Sequence, residues 1–252
     1  MIRCKITTNY LDKKIPAPGL IVTWEKIICF VSFAYFSDIN QHQPAMPLYR
    51  DFSDDNATIL VWKYDETEDL DINVLLEPEN VEKVKDYHPK KLLEVLMVRK
   101  LLKGLKPSSK ILYRDREPFL SPGDAEISIT HSFPFAAIAV SKNKIGIDIE
   151  KFNPKILRVI DKFIYEEERG FIPPGHEVTF YTMIWSVKES MYKIHHSKHW
   201  SLKRHYEVRP FELKHLHHIR CRVYDERISD ELKARIEFFD DYCFTIVEEQ
   251  QP

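Results

Sequence analysis

KNKIGIDIEKF, residues 142–152, decides how this chain is read. Ile145, Ile147 and Ile149 alternate with Gly146, Asp148 and Glu150, the period-two pattern of a β-strand. One face of that strand is apolar and belongs in a core. The other carries two carboxylates whose attachment points lie about 7 Å apart. Like charges that close repel, and each raises the other's pKa unless something positive stands between them. Gly146, on the acidic face, is expected to leave room for a ligand near the backbone.

The strands around this stretch set the fold class. EISIT (126–130) and FAAIAV (135–140) read as strands upstream, and SKNK (141–144) is a polar turn expected to join FAAIAV and IGIDIE as a hairpin. TILVWKY (58–64) is a further strand, and others are expected near 206–213, 217–224 and 242–247. PKKLLEVLMVRKLLK (89–103) has helical spacing, with Pro89 in its first turn and Gly104 at its end. Helices are also expected over 154–170, 178–196 and 229–237, with Pro173-Pro174-Gly175 as a break. Helices and strands that do not alternate regularly indicate an α+β fold.

Length and composition narrow the function classes. The chain has 252 residues, 44% hydrophobic and 30% charged, as in an ordinary globular protein. A net charge of −2 provides no overall attraction to nucleic acid or acidic membranes. Charge is uneven: residues 51–86 hold twelve acids against three bases, and residues 188–222 hold nine bases against three acids, with seven of the eleven histidines. The cysteines at 4, 29, 221 and 243 form no CxxC pair, which suggests reduced thiols in a cytoplasmic protein. The apolar run at 20–36 contains Glu25 and Lys26 and is too short to span a bilayer, so core strands are expected there.

TFYTMIWSVKESMYKIHH (179–196) carries the second set of chemical residues. On a helical wheel Ile184, Val187, Met191 and Ile194 share a stripe about 80° wide. Glu189 and Lys193 lie nearly opposite it, one turn apart, and could be no more than an exposed ion pair. With Asp148 and Glu150, however, Glu189 would complete an oxygen-rich site for a hard divalent cation such as Mg²⁺. ISITHS (127–132) adds Thr130 and His131 at a strand end, where imidazole and hydroxyl groups could meet phosphate or be satisfied locally. The seven histidines between 195 and 218 match no compact zinc-ligand spacing.

ISITHS, IGIDIE and WSVKESMYK, in this order and spacing, resemble the 4′-phosphopantetheinyl transferase superfamily of the surfactin-synthetase-activating type. The resemblance is strongest over residues 126–193 and extends more loosely to HPKKLLEVLMVRK from residue 88. It implies a pseudo-dimer of two similar α/β halves, here 1–140 and 141–252, with the active site in the cleft between them. It implies transfer of the phosphopantetheine arm of coenzyme A to a serine of an acyl or peptidyl carrier protein, with Mg²⁺ (Mn²⁺ as an alternative), by a monomer. By position, Asp148, Glu150 and Glu189 would bind the metal, and Glu189 and Lys193 would act in catalysis. Lys193, Thr130 and His131 would bind coenzyme A, joined by Lys90 and Lys91.

The chain departs from the family pattern at three places. Arg116-Glu117-Pro118 stands where a lysine before proline is usual, and an acid there would repel phosphate. Met97-Val98 precedes Arg99 where small residues are common, which is expected to reshape the cleft. HHSKHWSLKRHY, after Lys193, has no glycine. A non-catalytic protein that binds coenzyme A or a carrier protein is the alternative that Glu117 supports. A Mg²⁺-dependent phosphohydrolase is a third reading, separated by consumption of coenzyme A without a carrier.

Overall fold

In the computed structural model, residues 48–68, 70–195 and 200–249 are described. The cysteines at 4 and 29 and the apolar run at 20–36 lie outside them, as do His196 and His199. In chain order the elements are β1 (Leu48–Asp51), β2 (Ala57–Lys63), α1 (Ile72–Leu75), α2 (Pro78–Val84) and α3 (Pro89–Leu105). A two-stranded ribbon follows, β3 (Lys110–Arg114) and β4 (Glu117–Ser121), then β5 (Glu126–Ser132), β6 (Phe135–Ser141) and β7 (Ile145–Lys151). The last stretch holds α4 (Glu166–Arg169), α5 (Glu177–Ile194), α6 (Leu202–His205), β8 (Tyr206–Val208), β9 (Ile219–Tyr224), β10 (Ser229–Phe239) and β11 (Tyr242–Glu249). The mixture of sheets and helices agrees with the α+β expectation.

Two antiparallel sheets carry the architecture, one in the order β1-β2-β6-β5 and one in the order β7-β11-β10-β9-β8. Period-two alternation gives each sheet two apolar faces. Ile59, Val61, Phe135 and Ala137 of the first sheet share a core with Ile147, Ile149, Phe244 and Ile246 of the second. On its other face the first sheet places Leu60, Trp62 and Ile138 against Met97, Val98, Leu101 and Leu102 of α3. The other face of the second sheet packs Ala234, Ile236, Cys243 and Val247 against Ile184, Val187 and Met191 of α5. The layers are therefore helix, sheet, sheet, helix. Among the described residues no helix is long and apolar enough to cross a membrane.

Several expectations are corrected. β6 and β7 do not form a hairpin: β6 lies between β2 and β5, whereas β7 pairs with β11, Ile147 opposite Ile246. Residues 141–144 instead carry the chain from one sheet to the other. Residues 229–237 form a strand, not a helix, because Leu232, Ala234 and Ile236 alternate inward and β9 and β11 pair on either side. Residues 154–170 break into two 3₁₀ turns and the four-residue α4. The strand expected over 206–213 ends at Val208, and α3 runs through Gly104 to Leu105. Met97 and Val98 lie in the core under α3.

The edge strands β5 and β7 meet through side chains where backbone pairing is absent. The Ile147 amide donates to Ser128 Oγ at 3.0 Å, and the Ile149 amide donates to Thr130 Oγ1 at 3.2 Å. The two hydroxyls satisfy amides that an edge strand would otherwise bury without partners.

Candidate active site

The acidic face of β7 is turned toward α5, and that helix sits very close. Ser186 Oγ donates to the Asp148 carbonyl at 3.4 Å, and Ser190 Oγ donates to the Thr245 carbonyl at 3.5 Å. Small side chains let the helix backbone approach the sheet. Gly146 completes the approach: a Cβ there would lie 1.9 Å from the Ser190 carbonyl oxygen. The space beside Gly146 is thus filled by the helix and is not left for a ligand, as the sequence alone had suggested.

Lys193, in the last turn of α5, reaches back to β7. Its Nζ donates to the Ile147 carbonyl at 2.6 Å and to Asp148 Oδ1 at 3.1 Å. Lys193 therefore pairs across elements and not with Glu189, which corrects the exposed i,i+4 reading. Thr130 Oγ1 donates to the same Oδ1 at 3.2 Å. Asp148 is 7% exposed, and its second oxygen, Oδ2, is buried without a hydrogen-bond partner. A buried carboxylate oxygen left unpaired costs about 1–3 kcal/mol or more.

The other two carboxylates are half-buried. Burial, followed by the charge of Asp148, pushes the Glu150 carboxyl up to about 7; Glu189 adds to the rise, while a hydrogen bond from Trp185 and the charge of Lys193 oppose it. Glu189 is likewise pushed up to about 7 by burial and then by Asp148, against Lys193. Among the described residues, these three acids share one region with the Lys193 ammonium. Among the described residues no cluster of three or more His, Cys, Asp or Glu side chains stands ready to hold a metal ion. Two of the acids have partners of their own: Lys193 and Thr130 hold Asp148, and the Trp185 indole donates to Glu150 Oε1 at 2.8 Å. The orphaned Oδ2 and the raised carboxyls nevertheless fit a hard divalent cation, which would relieve both.

The remaining sequence candidates lie beyond this cluster. His131 is exposed on β5, its Nδ1 3.2 Å from Glu94 Oε2 of α3. Lys90 and Lys91 are exposed in the first turn of α3, over the rings of Phe133 and Tyr87 at 5.3 and 4.2 Å. A cavity of about 640 Å³ opens along β5, lined among others by Tyr113, Arg116, Glu117, Tyr192 and Lys193. Its rim includes the β3–β4 turn, where Asp115 and Arg116 hold positive φ of 50° and 77°. Lys193 is the sequence candidate that joins this cavity to the carboxylates.

Three contributors escaped sequence reading: Trp185, and the buried pair of Lys188 and Glu168. Lys188 Nζ donates to Glu168 Oε2 at 2.7 Å and to the Phe163 carbonyl at 2.6 Å. Burial pushes the Lys188 ammonium down and the Glu168 carboxyl up, each opposed by its partner. The available signal was that Lys188 borders the apolar stripe on the helical wheel, about 40° beyond Ile184 at its edge.

Comparison with known proteins shows what the segment carrying this geometry is similar to. Residues 144–247 match the 4′-phosphopantetheinyl transferase superfamily. A 117-residue stretch is 30% identical to the 4′-phosphopantetheinyl transferase gsp of Aneurinibacillus migulanus, covering 44% of this chain and 49% of that protein. A 73-residue stretch is 32% identical to a 4′-phosphopantetheinyl transferase of Bacillus subtilis, covering 28% and 33% respectively. The chain thus spans about half or less of the length of the curated relatives it matches. The resemblance read from the motifs is a resemblance to this superfamily, and the matched segment includes β7 and α5.

Proposed function

We propose that the protein transfers the 4′-phosphopantetheine arm of coenzyme A to a serine of an acyl or peptidyl carrier protein. The observation that carries this reading is the buried, unpartnered Oδ2 of Asp148 beside two raised carboxyls and one ammonium, within the segment that matches the superfamily. The layers of helix, sheet, sheet and helix support an arrangement of two halves, 1–140 and 141–252, with the site in the cleft between them. A cytoplasmic monomer is proposed with it.

Asp148, Glu150 and Glu189 would hold Mg²⁺, or Mn²⁺ in its place. Bound there, the cation would neutralise charge on the pyrophosphate of coenzyme A. The serine oxygen bonds to the β-phosphorus, and the bond from that phosphorus to the bridging oxygen breaks. The electron pair leaves with adenosine 3′,5′-bisphosphate. Glu189 is the residue that would take the serine proton. Lys193 has two of its three N–H donors engaged, on Ile147 and Asp148, and its third is available to a phosphate oxygen. Thr130 orients Asp148, while His131, Lys90 and Lys91 would meet the phosphate groups of the nucleotide. The basic stretch 188–222 would attract an acidic carrier protein and speed encounter.

Intact-mass analysis of an apo acyl carrier protein incubated with the protein, coenzyme A and Mg²⁺ tests the reading. The expected result is a gain of one phosphopantetheine that disappears with EDTA. Glu117 on the cavity wall, near Lys193, favours a second reading, a protein that binds coenzyme A or a carrier without transfer. Binding of coenzyme A with no mass gain on several carrier types would establish that second reading. Within the first, Lys193→Ala should lower kcat/KM for coenzyme A by roughly ten- to a hundredfold, the worth of one hydrogen bond to a charged group. Unchanged steady-state constants would remove Lys193 from phosphate binding.

A further inference from the structure

We propose that Trp185 is a positioning residue for Glu150, holding that carboxylate in the orientation a divalent cation requires. The inference rests on the reading of Asp148, Glu150 and Glu189 as the cation site. Trp185 stands on α5 one turn before Glu189, and its Nε1–H donates to Glu150 Oε1 at 2.8 Å. A donor on one oxygen fixes the rotation of the carboxylate and leaves the other oxygen to a ligand. An indole N–H neither ligates a cation nor carries a catalytic proton, so Trp185 acts only through Glu150.

What makes the indole a fixed support is the shell behind it. Its ring meets Phe163 edge-on, with centroids 5.0 Å apart and planes at 74°. Phe163 is fully buried, and its carbonyl accepts from Lys188 Nζ at 2.6 Å. Lys188 is anchored in turn by Glu168, which also accepts from the amides of Tyr165 at 2.8 Å and Val208 at 2.9 Å. A chain of packed and hydrogen-bonded groups thus runs from a buried ion pair to Glu150. Of the three acids, Asp148 is held by Thr130 and Lys193, and Glu150 by Trp185. Outer-shell donors of this kind typically contribute 10- to 100-fold to metal affinity.

Mn²⁺ binding to the purified chain, followed by the electron paramagnetic resonance of free Mn²⁺ without coenzyme A or carrier, tests the inference. Trp185→Phe keeps a ring against Phe163 and removes the N–H. Its Kd for Mn²⁺ should rise about tenfold over wild type at temperatures where thermal melts show both proteins folded. If the Phe variant does not fold, benzothienylalanine at position 185 keeps the indole shape without the N–H and should give the same rise. A Kd within twofold of wild type in a folded variant overturns the positioning role while leaving the cation site standing. Wild type that fails to bind Mn²⁺, or binds it as well after Asp148→Asn, overturns the cation site and this inference with it.

Discussion

Gly146→Ala is expected to destabilise the fold by about 3 kcal/mol or more, toward or above the upper end of ordinary overpacking. The added methyl would lie 1.9 Å from the Ser190 carbonyl oxygen, 2.8 Å from its carbonyl carbon and 3.2 Å from Ile194 Cγ1. The first two are backbone atoms of α5, so no rotamer change relieves the clash. Either the helix lifts from the sheet or β7 bends, and interiors packed at crystal density resist both. Lifting α5 would also part Lys193 from Ile147 and Asp148, so a folded remnant should lose cation binding along with stability. Guanidinium denaturation gives the number. Gly123→Ala is the control, because a methyl there would make an ordinary 3.7 Å contact with the Leu120 carbonyl. A Gly146→Ala protein within about 0.5 kcal/mol of wild type, the range of unremarkable surface changes, would show that α5 does not sit this close.

Gly146 also shows what a single sequence discloses. Its place on the acidic face of β7 was legible from the alternation of IGIDIE, but its neighbour was not. Period two reports which residues share a face and nothing of what covers it. The same limit explains the hairpin expected at 141–144: a polar turn between two strands suited a hairpin, yet β11, almost a hundred residues on, is the partner of β7. Strands β2, β5, β6 and β7 and helices α3 and α5 were legible because apolar spacing agreed with local turn and cap residues. SDELKARIEFF was misread as a helix because Glu, Leu, Lys, Ala and Arg favour helices, while its alternation of Leu232, Ala234 and Ile236 is a strand signal. Pairing on both edges decided the outcome. At the site, the acids and Lys193 were legible as residue types at a spacing, whereas Trp185 and Glu168 became visible only when distant segments met.

Lys188→Met should cost about 3–5 kcal/mol, although methionine keeps most of the buried stem. Lys188 is fully buried, and Glu168, 1% exposed, accepts from it and from two backbone amides. Removing the ammonium strands a carboxylate in an interior where an uncompensated charge is expensive to hold. The remaining amide donors soften that cost without replacing a counter-charge, and the Phe163 carbonyl loses its donor as well. The discriminating measurement is a double-mutant cycle by chemical denaturation. Glu168→Gln added to Lys188→Met should restore part of the loss, because a neutral amide can still accept from one of the amides and no charge is left alone. Additive costs would mean that the two side chains do not depend on each other for stability. A near-neutral Lys188→Met would mean that Glu168 is already protonated in the fold, so that the pair is a hydrogen bond between neutral groups. The cycle also separates this pair from its neighbours in the site: Lys188→Met acts on stability first, whereas Trp185→Phe leaves the ion pair intact and acts on the cation. If loosening the pair also weakened Mn²⁺ binding in protein that stays folded, the rigidity of the segment behind Trp185 would be what transmits order to Glu150.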